Sequence, residues 1–212
     1  MTSLETFVHQ DFSFSLLVPN QQAIQQQYLQ QKIIDANTPF PYWVKVWPCA
    51  IGLSYFINNH RHYIQNKKVL ELAAGLGLPS LVAAKWAATI CCSDYLQAPL
   101  NLVKASADFH QIQNINYQII DWFAMPKNVD AEVILMSDIN YEPAVFDVLF
   151  TIITNLLVKQ TTIILSTPQR LLAKPFIERL LPFCTFKQRI EVMENNIAVW
   201  VQVLVLQAKT QW

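Results

Sequence analysis

The sequence predicts an α/β protein with a seven-stranded, mostly parallel sheet that ends in an antiparallel hairpin, preceded by a short strand-and-helix extension. Three observations predict it. From Lys67 onward, short apolar runs alternate with helix-length segments, the pattern of βα units laid on a parallel sheet. The last two apolar runs, Phe183 to Ile190 and Ile197 to Leu206, are joined through Glu194-Asn195-Asn196, too short a link for a crossover helix, so they pair antiparallel. The chain has 212 residues, 53% of them hydrophobic, enough to cover both faces of such a sheet in one domain of ordinary size.

Along the chain, the first element is a strand. Phe12, Phe14, Leu16 and Val18 alternate with other side chains, so a half-buried strand is expected, ended by Pro19-Asn20. The glutamine-rich stretch 21–34 carries Ile24, Tyr28 and Ile33 near helical spacing and reads as a surface helix. Asn37-Thr38-Pro39-Phe40-Pro41 is a stiff connector, because each proline drives its predecessor into an extended conformation. Residues 1–40 therefore form an extension, and 41–212 the main domain. There, strands are expected at 69–72, 89–93, 115–120, 132–136 and 162–165. Helices are expected at 78–87, 96–109, 143–157 and 170–181.

Composition narrows the function. Fifteen basic residues balance fifteen acidic ones, and Lys and Arg are scattered. That argues against a nucleic-acid partner, which calls for a basic excess. Apolar runs are interrupted by Lys85 and Gln202, short of the roughly 20 apolar residues a spanning helix needs, so no membrane is expected. The amino-terminal residues carry Glu5 and Asp11 and do not read as a secretory signal. Cys49, Cys91, Cys92 and Cys184 form no CxxC pair, which suits buried thiols in a reducing cytoplasm. His9, His60, His62 and His110 show no ligand spacing, so no metal is assigned.

Sites in open α/β sheets lie beyond the carboxyl ends of the strands. After the first parallel strand comes Glu71-Leu72-Ala73-Ala74-Gly75-Leu76-Gly77. Gly75 and Gly77 permit a tight turn and close backbone approach to a ligand, and Pro79 suits the first turn of the next helix. The amides there can bind a carboxylate, and Glu71 can accept from a ligand ammonium. An ordinary strand-to-helix turn is the other reading. After the second strand, Asp94 can accept from both hydroxyls of a ribose or can cap the following helix. After the third, Asp121-Trp122 offers an acceptor for an adenine amino group beside a flat ring, or simply a surface acid and a core indole. After the fourth, Asp138-Ile139-Asn140-Tyr141 sets a carboxylate and a phenol three residues apart. Asp138 can orient an amine and Tyr141 can pack on a cation, or the pair can be a helix cap and a core ring. Upstream, Phe40, Tyr42, Trp43 and Trp47 fall within eight positions and can roof a pocket, although clustered aromatics also serve cores. A nicotinamide dinucleotide fits poorly, because the GxGxxG positions read Ala73, Gly75 and Leu78.

The run Pro41-Tyr42-Trp43-Val44-Lys45-Val46-Trp47-Pro48, then Val69 to Gly77, Asp94, Asp121-Trp122 and Asp138 to Tyr141, resembles the family 16 seven-β-strand lysine methyltransferases. Within them it is most similar to the branch containing the electron-transfer-flavoprotein β-subunit lysine methyltransferase and its bacterial relatives. The resemblance implies a class I methyltransferase fold, Rossmann-like, with S-adenosylmethionine as cofactor and a protein lysine side chain as acceptor. It also implies that Trp47, Glu71, Ala73, Gly75, Asp94, Trp122 and Asp138 line the cofactor site, with Asp138 and Tyr141 bordering the acceptor amine as the catalytic pair. Gly77 and Asp121 complete the expected cofactor contacts. The departure is Ala73, which stands where the family usually has the first glycine of its loop. A small-molecule amine acceptor and a catalytically silent binding protein are the alternative readings.

Overall fold

The computed structural model describes residues 2–126 and 128–208. In chain order the elements are β1 (Thr2–His9), β2 (Phe12–Pro19), α1 (Gln21–Ile34), α2 (Pro48–Asn59), β3 (Lys68–Leu72), α3 (Leu78–Ala83), β4 (Thr89–Asp94), α4 (Gln97–Phe109), β5 (Ile115–Ile119), β6 (Val133–Ser137), α5 (Phe146–Val158), β7 (Thr162–Pro168), α6 (Lys174–Leu180), β8 (Cys184–Glu194) and β9 (Ile197–Leu206). The main sheet has seven strands in the order β5-β4-β3-β6-β7-β9-β8. The first five pair in parallel, and β9 runs antiparallel between β7 and β8. This is the predicted α/β sheet, closed by the predicted hairpin.

Both faces of the sheet are buried, which is why its central strands are nearly continuous hydrophobic runs. Side chains alternate between two cores. Val69, Ile90, Cys92, Val133, Leu135, Ile164, Val203 and Val205 join α2, α3 and α4 on one face. Leu70, Leu72, Ile134, Met136, Ile163, Leu165, Leu204 and Leu206 join α5 and α6 on the other. Cys91 and Cys92 accordingly point to opposite faces, and all four cysteines are unpaired. On α5 the residues Leu149, Ile152, Ile153, Leu156 and Leu157 form one apolar stripe at helical spacing.

Two elements were not anticipated. The first is β1, which pairs with β2 from Thr2↔Pro19 to His9↔Phe12. Its side chains are almost all exposed, so it carries no inside-outside contrast to read. From β2, Phe12, Leu16 and Val18 enter the same core as α2 and α4, and Leu17 N–H donates to Ser106 Oγ at 2.9 Å. By contrast α1, capped by Asn20 as a surface helix, buries none of its residues.

The second is α2, which starts with Pro48 in its first turn and packs on α3, β7, β8 and β9. Pro48 through Ser54, with Phe56 and Ile57, are all buried, so the helix has no polar face and no readable 3.6-residue contrast. It lies close on β9: a Cβ on Gly52 would stand 3.1 Å from Val201 Cγ1. Several predicted helices shorten by a turn, since single 3-10 turns occupy Pro143–Val145 and Leu171–Ala173. Phe56 is fully buried on α2 and stacks near Tyr63, so truncation leaves a cavity the fold cannot collapse into. Phe56→Ala is expected to cost about 3–4 kcal/mol and lower the melting temperature by roughly 10 °C in a thermal unfolding experiment followed by circular dichroism.

Candidate active site

The strand order reverses at β3, with β4 and β5 to one side and β6 and β7 to the other, so the connections diverge at the carboxyl ends of β3 and β6. A cavity with about 910 Å³ of non-atom space, part of it open to solvent, lies there. Its walls include Tyr42, Trp43, Val46 and Trp47 from the segment leading into α2, Ala73 to Leu78 after β3, Asp94 and Tyr95 after β4, Trp122 after β5, Ser137, Asp138, Ile139 and Tyr141 after β6, and Arg170 after β7. Of the residues singled out from the sequence, Trp47, Ala73, Gly75, Gly77, Asp94, Trp122, Asp138 and Tyr141 thus meet in one place. Glu71 and Asp121 do not line it.

The loop after β3 is shaped by left-handed backbone. Ala73, Gly75 and Gly77 take φ of 52°, 53° and 64°. Glycine is required at 77, because a Cβ there would also stand 2.8 Å from Val103 Cγ2 of α4. The added methyl of Ala73 would be harmless at negative φ; at positive φ it carries strain. Asp94 ties this loop to the residue ahead of α4: Oδ2 accepts from Gly75 N–H at 3.0 Å and Oδ1 from Leu96 N–H at 3.1 Å. Burial raises its carboxyl against those amides.

Glu71 points under α3. Its Oε2 accepts from Ser80 N–H at 2.8 Å, and Oε1 is buried with no partner among the described residues. Complete burial pushes this carboxyl up to about 8, with the nearby Asp94 adding to the shift. Asp121 is exposed and accepts from Phe123 N–H at 2.9 Å, capping the 3-10 turn that carries Trp122 into the cavity.

Among the aromatic residues of the lining, Trp47 Nε1 donates to Tyr42 O at 2.8 Å, and the rings of Tyr42 and Tyr141 lie 4.8 Å apart. Burial pushes the Tyr141 phenol up to about 12. Asp138 also takes a left-handed φ, 52°, and its N–H donates to Ser166 O at 2.9 Å, tying the end of β6 to β7. Its two oxygens accept from Arg170 Nη1 and Nη2 at 2.9 and 3.0 Å. Burial pushes the Asp138 carboxyl up to about 6 against the opposing pull of this guanidinium.

Arg170 and Lys45 were missed in the sequence. Arg170 follows the fifth parallel strand, and the strand-end rule that found Asp94 and Asp138 extends to it. Lys45 stacks 3.7 Å over the Trp47 ring and bonds Glu194 at 2.9 Å. A second cleft, lined by Trp47, Cys49, Glu194 and Trp200, shares Trp47, Asp138 and Arg170 with the cavity.

This sheet, with its cavity at the reversal, is the fold of the class I methyltransferases. Among solved structures it is similar to the 16S rRNA N2 G1207 methyltransferase of Thermus thermophilus, solved with AdoMet and guanosine, at TM-score 0.63 and 13% identity over 98% of this chain and 51% of that one. It is also similar to a putative RNA methyltransferase from Pyrococcus horikoshii, at TM-score 0.60 and 13% identity over 81% of this chain and 91% of that one. Residues 26–183 match the family described as lysine methyltransferase, and the chain belongs to that family. Its relatives include the histone-arginine methyltransferase METTL23 of Xenopus laevis, 35% identical over 52% of this chain and 50% of that protein. The protein-lysine methyltransferase METTL21E of Bos taurus is 30% identical over 58% of this chain and 46% of that protein. The chain spans about half the length of the curated relatives it matches.

Two measurements check these local assignments. Ala73→Gly relieves the strained methyl and is expected to raise stability by about 1 kcal/mol, or roughly 3 °C in melting temperature. Glu71 holds its proton to about pH 8 when folded, whereas the unfolded chain releases it near 4.5. The unfolded state therefore binds fewer protons in that window, and stability falls as pH rises through it, by on the order of 4 kcal/mol. Glu71→Gln keeps the bond from Ser80 N–H and is expected to remove most of that slope when melting temperature is recorded from pH 5 to 8.

Proposed function

We propose that the protein is an S-adenosylmethionine-dependent methyltransferase that methylates a side-chain nitrogen of another protein, with lysine as the acceptor. The observation that carries this reading is the cavity's lining: the left-handed loop and Asp94 share one space with Asp138 and Tyr141. The residues present fit the cofactor. Gly75 takes a left-handed φ of 53° and carries no Cβ, so its backbone can approach a bound carboxylate or ribose. Asp94 keeps lone pairs for ribose hydroxyls beyond those its two amides use. Trp122 and the apolar walls suit a purine, and the Tyr141 ring suits a cation beside it.

The chemistry that bound S-adenosylmethionine supplies is an electrophilic methyl on sulfur: the S–CH₃ bond breaks as the N–CH₃ bond forms, and the nitrogen's proton passes to solvent. The chain's own contribution is alignment, which is worth about 7–11 kcal/mol in favourable systems. A lysine amine must first be neutral, at a cost of roughly 4–5 kcal/mol at pH 7. The aromatic wall of Tyr42, Trp47 and Tyr141 lowers that cost by excluding water. The Tyr141 phenol keeps its proton throughout, and Asp138 orients the amine once it is ionised, above about pH 6.

Lysine is supported by the family's description, and a protein acceptor by relatives named for histone-arginine, protein-lysine and histidine methylation. A second reading, an arginine acceptor, is favoured by the bidentate hold Asp138 already has on a guanidinium. A reducing cytoplasm suits the unpaired cysteines.

The test has three parts. Calorimetry with S-adenosylmethionine and with its demethylated product is expected to give binding; no heat and no thermal shift with either would sink the assignment. Tritiated cofactor added to a cell lysate is expected to label protein, and acid hydrolysis of the labelled bands separates methyllysine from methylarginine and methylhistidine. Asp138→Ala is expected to reduce transfer at least 100-fold while cofactor affinity stays within tenfold. Equal loss of both would refute the role given to Asp138.

A further inference from the structure

Asp138 poses a difficulty for the chemistry assigned to it. A carboxylate that orients an amine also favours the amine's protonated form, which has no lone pair to attack with. The structure holds the answer in a residue the proposed mechanism has not used. Arg170 reaches Asp138 across the ends of two neighbouring strands, where Ser137 pairs with Ser166 and Asp138 N–H donates to Ser166 O. The backbone thus sets the distance, and the guanidinium meets both carboxylate oxygens at 2.9 and 3.0 Å. Such a fork fixes the plane of the carboxylate as well as its charge.

The other charged and titratable groups facing Asp138 do not supply this balance. Lys45, from the segment ahead of α2, is engaged with Glu194 at the end of β8, and together they add no net charge. Cys49 in the first turn of α2 is a buried thiol whose pKa is raised, and Tyr141 keeps its proton. Arg170 is therefore the cation that offsets Asp138. The Asp138 side chain is 11% exposed and that of Arg170 41% exposed, so the carboxylate is the more enclosed of the two and the arginine the more open to solvent. Trp47, Asp138 and Arg170 line both the cavity and the second cleft, which puts the pair where the two meet.

We propose that Arg170 is the positioning residue of the transfer step: its fork holds the Asp138 carboxylate in one orientation, and its charge lets the pair align an acceptor nitrogen without holding a proton on it. The inference rests on the reading of Asp138 as the group beside the acceptor. Loss of Arg170 leaves the buried carboxylate unbalanced, so Asp138 takes up a proton at higher pH. The same loss makes an acceptor amine harder to deprotonate. Both effects move the acidic limb of the rate profile to higher pH, so the sign is fixed whichever group dominates.

The experiment compares the full chain with Arg170→Met, Arg170→Gln and Arg170→Lys. The Asp138 carboxyl is followed by carbon-13 NMR of aspartate-labelled protein, its signal assigned by its loss in Asp138→Asn. The pH profile of tritium transfer into a labelled lysate band is recorded alongside. In Arg170→Met and Arg170→Gln the Asp138 midpoint and the acidic limb are both expected to rise by about one pH unit or more. The KM for S-adenosylmethionine is expected to stay within threefold, and Arg170→Lys to restore part of both shifts. A merely structural arginine would alter melting temperature and the Asp138 midpoint but leave the acidic limb of transfer in place. If the parent transfers methyl groups and the acidic limb does not move in whichever of the two uncharged variants folds, the role of Arg170 is overturned. A parent that transfers no methyl to any protein overturns the functional reading itself, and this role with it.

Discussion

A parallel sheet covered on both faces leaves its strand ends as the places where polar groups can converge, and the reversal at β3 decides which ends. With β4 on one flank and β6 on the other, the chain leaves the sheet in opposite directions and opens a crevice between. The cavity residues sit at or just beyond a strand end, or on the aromatic segment that crosses above. The two apolar cores reach the cavity floor through Ala74, Leu76, Leu78 and Ile139, and they hold five strand ends in register so that Asp94, Trp122, Asp138 and Arg170 face a common space.

Much of this was legible because both signals are local. The βα alternation shows as apolar runs, and the hairpin shows as a link too short to cross over. Asp94, Asp138 and Tyr141 stand out because each lies just beyond the carboxyl end of a strand that its own apolar run marks. What escaped depends on contacts distant in sequence. Helix α2 is enclosed on all sides, so it lacks the polar stripe that marks a helix. Strand β1 is exposed on nearly every residue and draws its order from pairing with β2. Glu71 and Asp121 were placed by type and position, but a side chain's direction depends on which amide it finds: Ser80 for one and Phe123 for the other.

Backbone conformation was the least legible feature, and it matters most around the cavity. Ala73, Gly75, Gly77 and Asp138 all sit in the left-handed region, two of them with side chains that disfavour it. Strain of this kind persists where neighbours over-determine it, and here they do. Asp94 bonds the loop at Gly75, and Ser166 and Arg170 hold Asp138 by its amide and both its oxygens. The cavity is preformed as a result, and a ligand entering it has little backbone to rearrange.

The position of the last hairpin has a consequence for biosynthesis. Strand β9 lies between β7 and β8, and Glu194 reaches back 149 residues to Lys45. While a nascent chain lacks residues 184–206, β7 is an open sheet edge carrying Ile163, Ile164 and Leu165, all buried in the finished fold. Helix α2 meanwhile lacks Val201 and the rest of the strand it will rest on. Domains whose central sheet is completed by their final residues emerge from the ribosome with adhesive edges showing. For this chain that exposure lasts until β8 and β9 have emerged and paired.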